Sequence, residues 1–211
     1  GSVYSIAEDH VDAGLLFVGT EFGVFFSKDG GSNWIQLKAG LPTIAVRDIE
    51  IQRRENDLVL ATFGRGFYIL DDYSPLRNIK RDDFNKSAKI LPVKDAWMYI
   101  ESTPLGLRDK GHLGSGYFSS QNPPVGAVFS YYLKESIKTI KEKRQETEKT
   151  KKAKGETFYY PSMDSLYAED NQLSPYLRFT IKDASGNIVR YLTAPAKKGL
   201  ARIVWDFRYG T

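Results

Sequence analysis

Short apolar runs punctuated by turn residues organise the first third of the chain. They predict strands near 3–8, 15–20, 23–28 and 33–38, and the pattern returns near 46–52, 57–62 and 66–71. The return is a repeat of 42 to 43 residues. Val3-Tyr4-Ser5-Ile6 is echoed by Val46-Arg47-Asp48-Ile49, Leu16-Phe17-Val18-Gly19-Thr20 by Leu58-Val59-Leu60-Ala61-Thr62, and Phe22-Gly23-Val24-Phe25 by Arg65-Gly66-Phe67-Tyr68. Several short strands per unit at this spacing is the range of β-propeller blades, and two blades are legible.

Beyond a polar connector near 77–89 the pattern changes. Ile90 to Ile100, with Trp97 and Tyr99, reads as a strand, residues 102–126 as a long Gly/Pro/Ser loop, and Ala127 to Leu133 as an alternating strand. Strands resume at 177–182 and 187–192, a hairpin about Asp183-Ala184-Ser185-Gly186, and end with Arg202 to Arg208, whose alternation puts Trp205, Phe207 and Tyr209 on one face. Between them, residues 134–154 hold nine basic and four acidic side chains. Helix-neighbour spacings such as Lys138/Glu142, Glu146/Lys149 and Glu148/Lys152 predict a solvated helix, with a binding tail for acidic partners as the alternative. The expected fold class is therefore all-β: a partial β-propeller of two blades over 1–78, then an Ig-like β-sandwich over 79–211 with a charged helical insertion at about 134–170.

Composition narrows the chemistry. Among 211 residues, 13% aromatics together with 18 Gly and 9 Pro fit strands and turns better than Leu-rich or Ala-rich helices. The absence of cysteine excludes disulfides, thiolate metal sites and cysteine nucleophiles. Two histidines, His10 and His112, are too few for a multi-histidine metal centre. No apolar run is long enough to span a membrane, and a start at Gly1-Ser2, which resembles a cloning scar, leaves any leader of the parent protein unread. The net charge of +4 sits in 134–154, whose surplus of five leaves the rest nearly neutral. That run lacks the aromatic interleaving of a nucleic-acid groove, so no nucleic-acid partner is expected.

One turn stands out. Ser27-Lys28-Asp29-Gly30-Gly31-Ser32-Asn33-Trp34 links the third and fourth strands of the first copy. It resembles the Asp-box, or bacterial neuraminidase repeat (BNR), Ser-x-Asp-x-Gly-x-Thr-Trp, with Asn33 in place of Thr. Ser27, Asp29, Gly31 and Trp34 are its marked positions. The expectation is a turn staple, with Asp29 accepting from the backbone N–H groups after it, glycines supplying positive φ and Trp34 plugging the next strand.

Further segments carry the resemblance outward: Leu41-Pro42-Thr43, Thr62-Phe63-Gly64-Arg65-Gly66, Ile69-Leu70-Asp71-Asp72 and Pro75-Leu76-Arg77, then Asn122-Pro123-Pro124-Val125-Gly126-Ala127, Asp183 to Arg190, and Gly199-Leu200 leading to Trp205-Asp206-Phe207-Arg208-Tyr209. Together they resemble the last blades and C-terminal sandwich of bacterial sortilin-like, Asp-box propeller proteins, often labelled glycosyl hydrolases. Phe63 stands where that family commonly has histidine. The resemblance implies a C-terminal fragment of a secreted or periplasmic protein, docking on upstream blades and acting in glycan or polypeptide recognition or processing.

No catalytic, cofactor-binding or metal-binding residue emerges, and no cofactor is expected. Retaining glycosidases need two carboxylates about 5 Å apart. The best local pair, Asp71-Asp72, points to opposite faces of a strand. Arg47, Arg53, Arg54 and Arg65 are candidates for carboxylate recognition by type alone, and Arg65 is expected to bond across blades. Gly111-His112-Leu113-Gly114-Ser115-Gly116 lacks the strand-then-helix setting of a dinucleotide site. The segment itself reads as non-catalytic; the alternative is part of a true glycoside hydrolase, sialidase- or xyloglucanase-like, with its carboxylates upstream.

Overall fold

The computed structural model describes residues 1–38, 40–100 and 120–210. Among them it is a mostly β protein, with twelve strands in four antiparallel sheets and two α-helices. Strands β1 (Val3–Glu8), β2 (Leu16–Thr20), β3 (Gly23–Ser27) and β4 (Ile35–Leu37) form a four-stranded meander. A three-stranded meander comes next, made of β5 (Val46–Gln52), β6 (Asp57–Thr62) and β7 (Gly66–Leu70).

The sequence repeat is a repeat of backbone detail. The β1–β2 register slips between Val3 and Ser5, and the β5–β6 register slips between Val46 and Asp48. Thr20 Oγ1 donates to the Gly23 carbonyl at 2.9 Å, and Thr62 Oγ1 to the Gly66 carbonyl at 2.7 Å, so one hydroxyl staples each second hairpin. The copies part at the next turn. The first returns as β4; in the second, Asp72 takes φ 43° and Pro75 enters a 3₁₀ helix over Ser74–Asn78, so the chain leaves before a fourth strand forms.

The two meanders share one core. Leu15, Phe17, Val24 and Phe26 pack with Val46, Ile49, Leu58 and Leu60, and Tyr73, Leu76, Ile79 and Leu91 seal its end. Gly19 sits where the second meander approaches the first: a Cβ there would lie 2.6 Å from the Val46 carbonyl and 2.5 Å from Ser5 Oγ of its own sheet. A buried ion pair locks the same end. Asp9, 2% exposed, accepts two 2.7 Å bonds from Arg77 and one from the Tyr73 hydroxyl, while Arg77 also donates to Asn56 Oδ1. The β1–β2 loop, the β5–β6 loop and the 3₁₀ helix are thereby tied into one unit. A second 3₁₀ helix, Arg81–Asn85, buries Asp83, which accepts from the Lys80 N–H, Lys86 and Lys89.

The second half holds β8 (Ala88–Ile90), β9 (Ala127–Leu133), α1 (Ile140–Ala153), α2 (Met163–Asn171), β10 (Tyr176–Lys182), β11 (Ile188–Pro195) and β12 (Gly199–Trp205). The sheet orders are β12-β9-β8 and β10-β11, with Tyr131 of β9 and Phe179 of β10 in ring contact at 4.9 Å.

Four expectations need correction. The strand expected over 90–100 ends at Ile90: Leu91 makes one last bond to Ser130, Pro92 has no N–H to offer, and Trp97 and Tyr99 stay exposed. The last strand runs from Gly199 to Trp205 rather than 202–208; Phe207 has φ 62°, which breaks the alternation and leaves Tyr209 exposed. The helix begins at Ile140, capped by Thr139 and Glu142, because residues 134–137 are bonded to the sheets through Ser87 and Ala196. The ion pairs are Lys138–Glu146, Lys141–Asp170, Arg144–Glu148 and Arg144–Glu169, not the three spacings expected; α2 supplies the partners of two of them, Asp170 and Glu169. The Gly111–Gly116 loop and His112 lie outside the described residues.

Candidate functional site

Between the β5–β7 sheet and the β8–β9–β12 sheet lies a cleft of about 360 Å³. Asp57 opens β6 and Asp71 comes directly after β7, and since Leu58 pairs with Leu70 their hairpin brings the two acids to the same end. Asp72 tolerates its left-handed backbone because its short side chain binds locally: its carboxylate accepts from the Ser74 N–H and hydroxyl, and its own N–H donates to Asp57 Oδ1 at 2.9 Å. From β12, Arg202 donates to the carbonyls of Asp71 and Asp72 at 2.5 and 2.7 Å, fixing this corner against the second sheet. Lys94, bonded to Glu55 at 2.6 Å, holds the start of the segment that carries Trp97 and Tyr99 along the cleft. Gly126 closes the opposite side, since a Cβ there would lie 2.1 Å from the Trp205 carbonyl.

Electrostatics single out one residue. Burial pushes the Asp71 carboxyl above the ordinary aspartate range, the Asp57 carboxylate adds to this, and Arg202 opposes it. Glu55, bonded to Lys94, is held below its ordinary range. Five carboxylates (Glu55, Asp57, Asp71, Asp72 and Asp95) thus face two cations, and Asp71 has no hydrogen-bond donor on its carboxyl among the described residues. A half-buried carboxyl beside exposed aromatic rings can accept from a ligand hydroxyl or ammonium while the rings stack on its apolar face.

The Asp29 turn closes on itself. Ser27 Oγ donates to Asp29 at 2.8 Å and accepts from the Gly31 N–H, while Asp29 accepts from the Asn33 N–H at 2.8 Å and from the Asn33 side chain at 2.6 Å. These bonds, the Asn33 side chain's first, lower the Asp29 pKa to about 2. Gly30 and Gly31 take φ of 65° and 93°. Trp34 lies one residue before β4 and is 39% exposed, so it covers Gly31 from outside rather than plugging the core.

Of the arginines weighed from sequence, Arg65 sits exposed at a hairpin tip with no bond across the sheets among the described residues, and Arg54 pairs with Glu55. Arg47 is the bridging one, stacked 4.0 Å over the Tyr4 ring and 5.2 Å from Phe63. Of the acidic pair, Asp72 is spent on its turn and Asp71 opens to the cleft with Asp57 instead. The hairpin register carried that signal: paired Leu58 and Leu70 place their outer neighbours side by side. Trp97 and Tyr99 are hidden from a sequence reading that takes their segment as a strand.

No family model, curated protein or solved structure matches the chain. Among the described residues no group of three His, Asp or Glu side chains is placed to hold a metal ion, and no helix is long and apolar enough to cross a membrane.

Proposed function

We propose that this chain is a non-catalytic recognition segment of a sortilin-like, Asp-box propeller protein, two blades and an Ig-like sandwich, that binds a glycan or a polypeptide in the cleft between them. The observation that carries the reading is the cleft itself, where Trp97 and Tyr99 stand beside Asp57 and Asp71. The blade reading draws on the repeated register slip and threonine staple, and on apolar side chains left exposed on the two meanders, Ile6 on one and Phe67 and Ile69 on the other, where further blades would pack. The sandwich reading draws on the Tyr131–Phe179 contact between two sheets. A secreted or periplasmic location belongs to the same proposal.

A glycan and peptide screen on the chain, followed by calorimetry, tests it. Trp97→Ala is expected to weaken binding at least tenfold with an unchanged melting temperature, because the ring is 74% exposed and supports little of the fold. Binding unaffected by both Trp97→Ala and Asp71→Asn removes the cleft from the proposal. A second reading, a glycoside hydrolase, is favoured by the Asp71 carboxyl, raised by burial and by the neighbouring Asp57. Turnover of a chromogenic glycoside that disappears in Asp71→Asn would establish it in place of the first.

A further inference from the structure

The ion pairs of the helical insertion are unevenly spread. Toward its start, Lys138, Lys141 and Arg144 are matched by Glu146, Asp170, Glu148 and Glu169, and Lys143 alone has no carboxylate within 4 Å among the described residues. Past Glu148 the helix carries Lys149, Lys151 and Lys152, and Lys154 caps it; none of the four has a carboxylate within 4 Å among the described residues. The helix C-terminus accounts for part of this, since its unpaired carbonyls favour cations. It does not account for the aromatic residues next in the chain. Gly155, at φ 72°, turns the backbone out of the helix, and Phe158, Tyr159 and Tyr160 are 42%, 88% and 84% exposed. Helix α1 buries no residue along its length, so among the described residues four lysines and three partly or fully exposed aromatics follow one another along the chain, with Glu156 the one acidic residue between them.

We propose that this stretch, Lys149 to Tyr160, docks on an anionic lipid surface. The order of the residues argues for lipid. A nucleic-acid groove interleaves bases' stacking partners with phosphate-binding cations along one track, whereas here the lysines and the aromatics form two consecutive blocks. A bilayer is layered in the same sense, with charge at the headgroups and an apolar zone beneath, and tyrosine, with an apolar body and a polar hydroxyl, favours the boundary between them. The lysines complement anionic headgroups, each strengthening attachment severalfold at low salt. Attachment of this kind is peripheral and needs no spanning segment.

Vesicle co-sedimentation of the intact chain tests the proposal, on phosphatidylcholine alone and on phosphatidylcholine mixed with phosphatidylserine. Binding to the mixed vesicles is expected, weak on the neutral ones and falling as salt rises. Lys151→Glu with Lys152→Glu should lower it by at least about tenfold. Tyr159→Ser with Tyr160→Ser should weaken it while leaving its salt dependence in place. Circular dichroism on both variants reports whether α1 persists, and the salt series on the unaltered chain stands whatever the variants do. Equal binding to neutral and mixed vesicles, no binding to either, or tighter binding to duplex DNA or to polyglutamate than to the mixed vesicles would each overturn it.

Discussion

At the scale of single residues, two aspartates show opposite signatures. Asp29 is satisfied by its own turn, with Asn33 adding a side-chain bond where the Asp-box pattern has Thr. Asp29→Ala should lower the melting temperature by a few degrees and leave ligand binding unchanged, by thermal denaturation and calorimetry on the same sample; loss of binding at constant melting temperature would place Asp29 in a site. Asp71 is the reverse case. Its carboxyl is pushed up by burial and by Asp57, so ionisation is costlier in the folded chain than in the unfolded one. Its contribution to stability is therefore lost as pH rises from the ordinary aspartate value through the raised one. Asp71→Asn should then raise the melting temperature slightly at pH 7, make little difference at pH 3, and abolish binding, the pattern of a group kept for function at the expense of stability. A fall in melting temperature at pH 7 would mark Asp71 as structural.

At the scale of elements, the seam between the two meanders is set by contacts that no local pattern announces. Gly19→Ala would press a methyl group on the Val46 carbonyl and Ser5 Oγ, and should cost about 1 to 3 kcal/mol by denaturant unfolding. The Asp9–Arg77 pair joins residues 68 positions apart. Burial alone would push Asp9 up, but the Arg77 bonds, the Tyr73 hydroxyl and the Val11 N–H outweigh it and hold its pKa below the ordinary value. The stabilisation is thus present above about pH 4 and lost as pH falls through the lower folded value. Asp9→Ala should cost about 3 to 5 kcal/mol at neutral pH, since it leaves the largely covered Arg77 charge without a carboxylate, with only its bond to Asn56. It should also flatten the acid limb of the stability curve, which a series of urea melts between pH 2 and 7 would read. Strands β1 to β7, by contrast, are legible in the sequence to within two residues, because apolar runs and Gly or Asn turns are local signals. The seam glycine, the buried pair and the Asp57–Asp71 approach depend on which segments meet, which local periodicity does not encode. Trp97 and Tyr99 mislead because aromatic, β-branched composition resembles a strand even where Pro92 ends the ladder.

At the scale of the whole molecule, the helical insertion behaves as an appendage with defined roots. Ser136 and Ile137 are bonded to Lys198 and Ala196, so the segment that leaves β9 belongs to the sheets rather than to the helices. The helices are held to each other instead. Arg144 of α1 donates two bonds to Glu169 of α2, whose carboxylate is covered and held below its ordinary range by that guanidinium, and the Ile140 N–H donates to Gln172. Replacing α1 alone strands Glu169 without its partner, whereas replacing 139–173 as a unit removes both members of the pair. The expected outcome is an asymmetry: the double replacement, a short Gly/Ser linker from Lys138 to Ser174, should leave the melting temperature within a few degrees of the intact chain, because β9, β10 and β12 keep their ladders and the Tyr131–Phe179 contact. Removal of α1 alone, with α2 retained, should be the more destabilising change despite deleting fewer residues. Equal melting temperatures for the two replacements would mean that the helices do not depend on each other, and a collapse of the double replacement would mean that the insertion is part of the core that the sheets build.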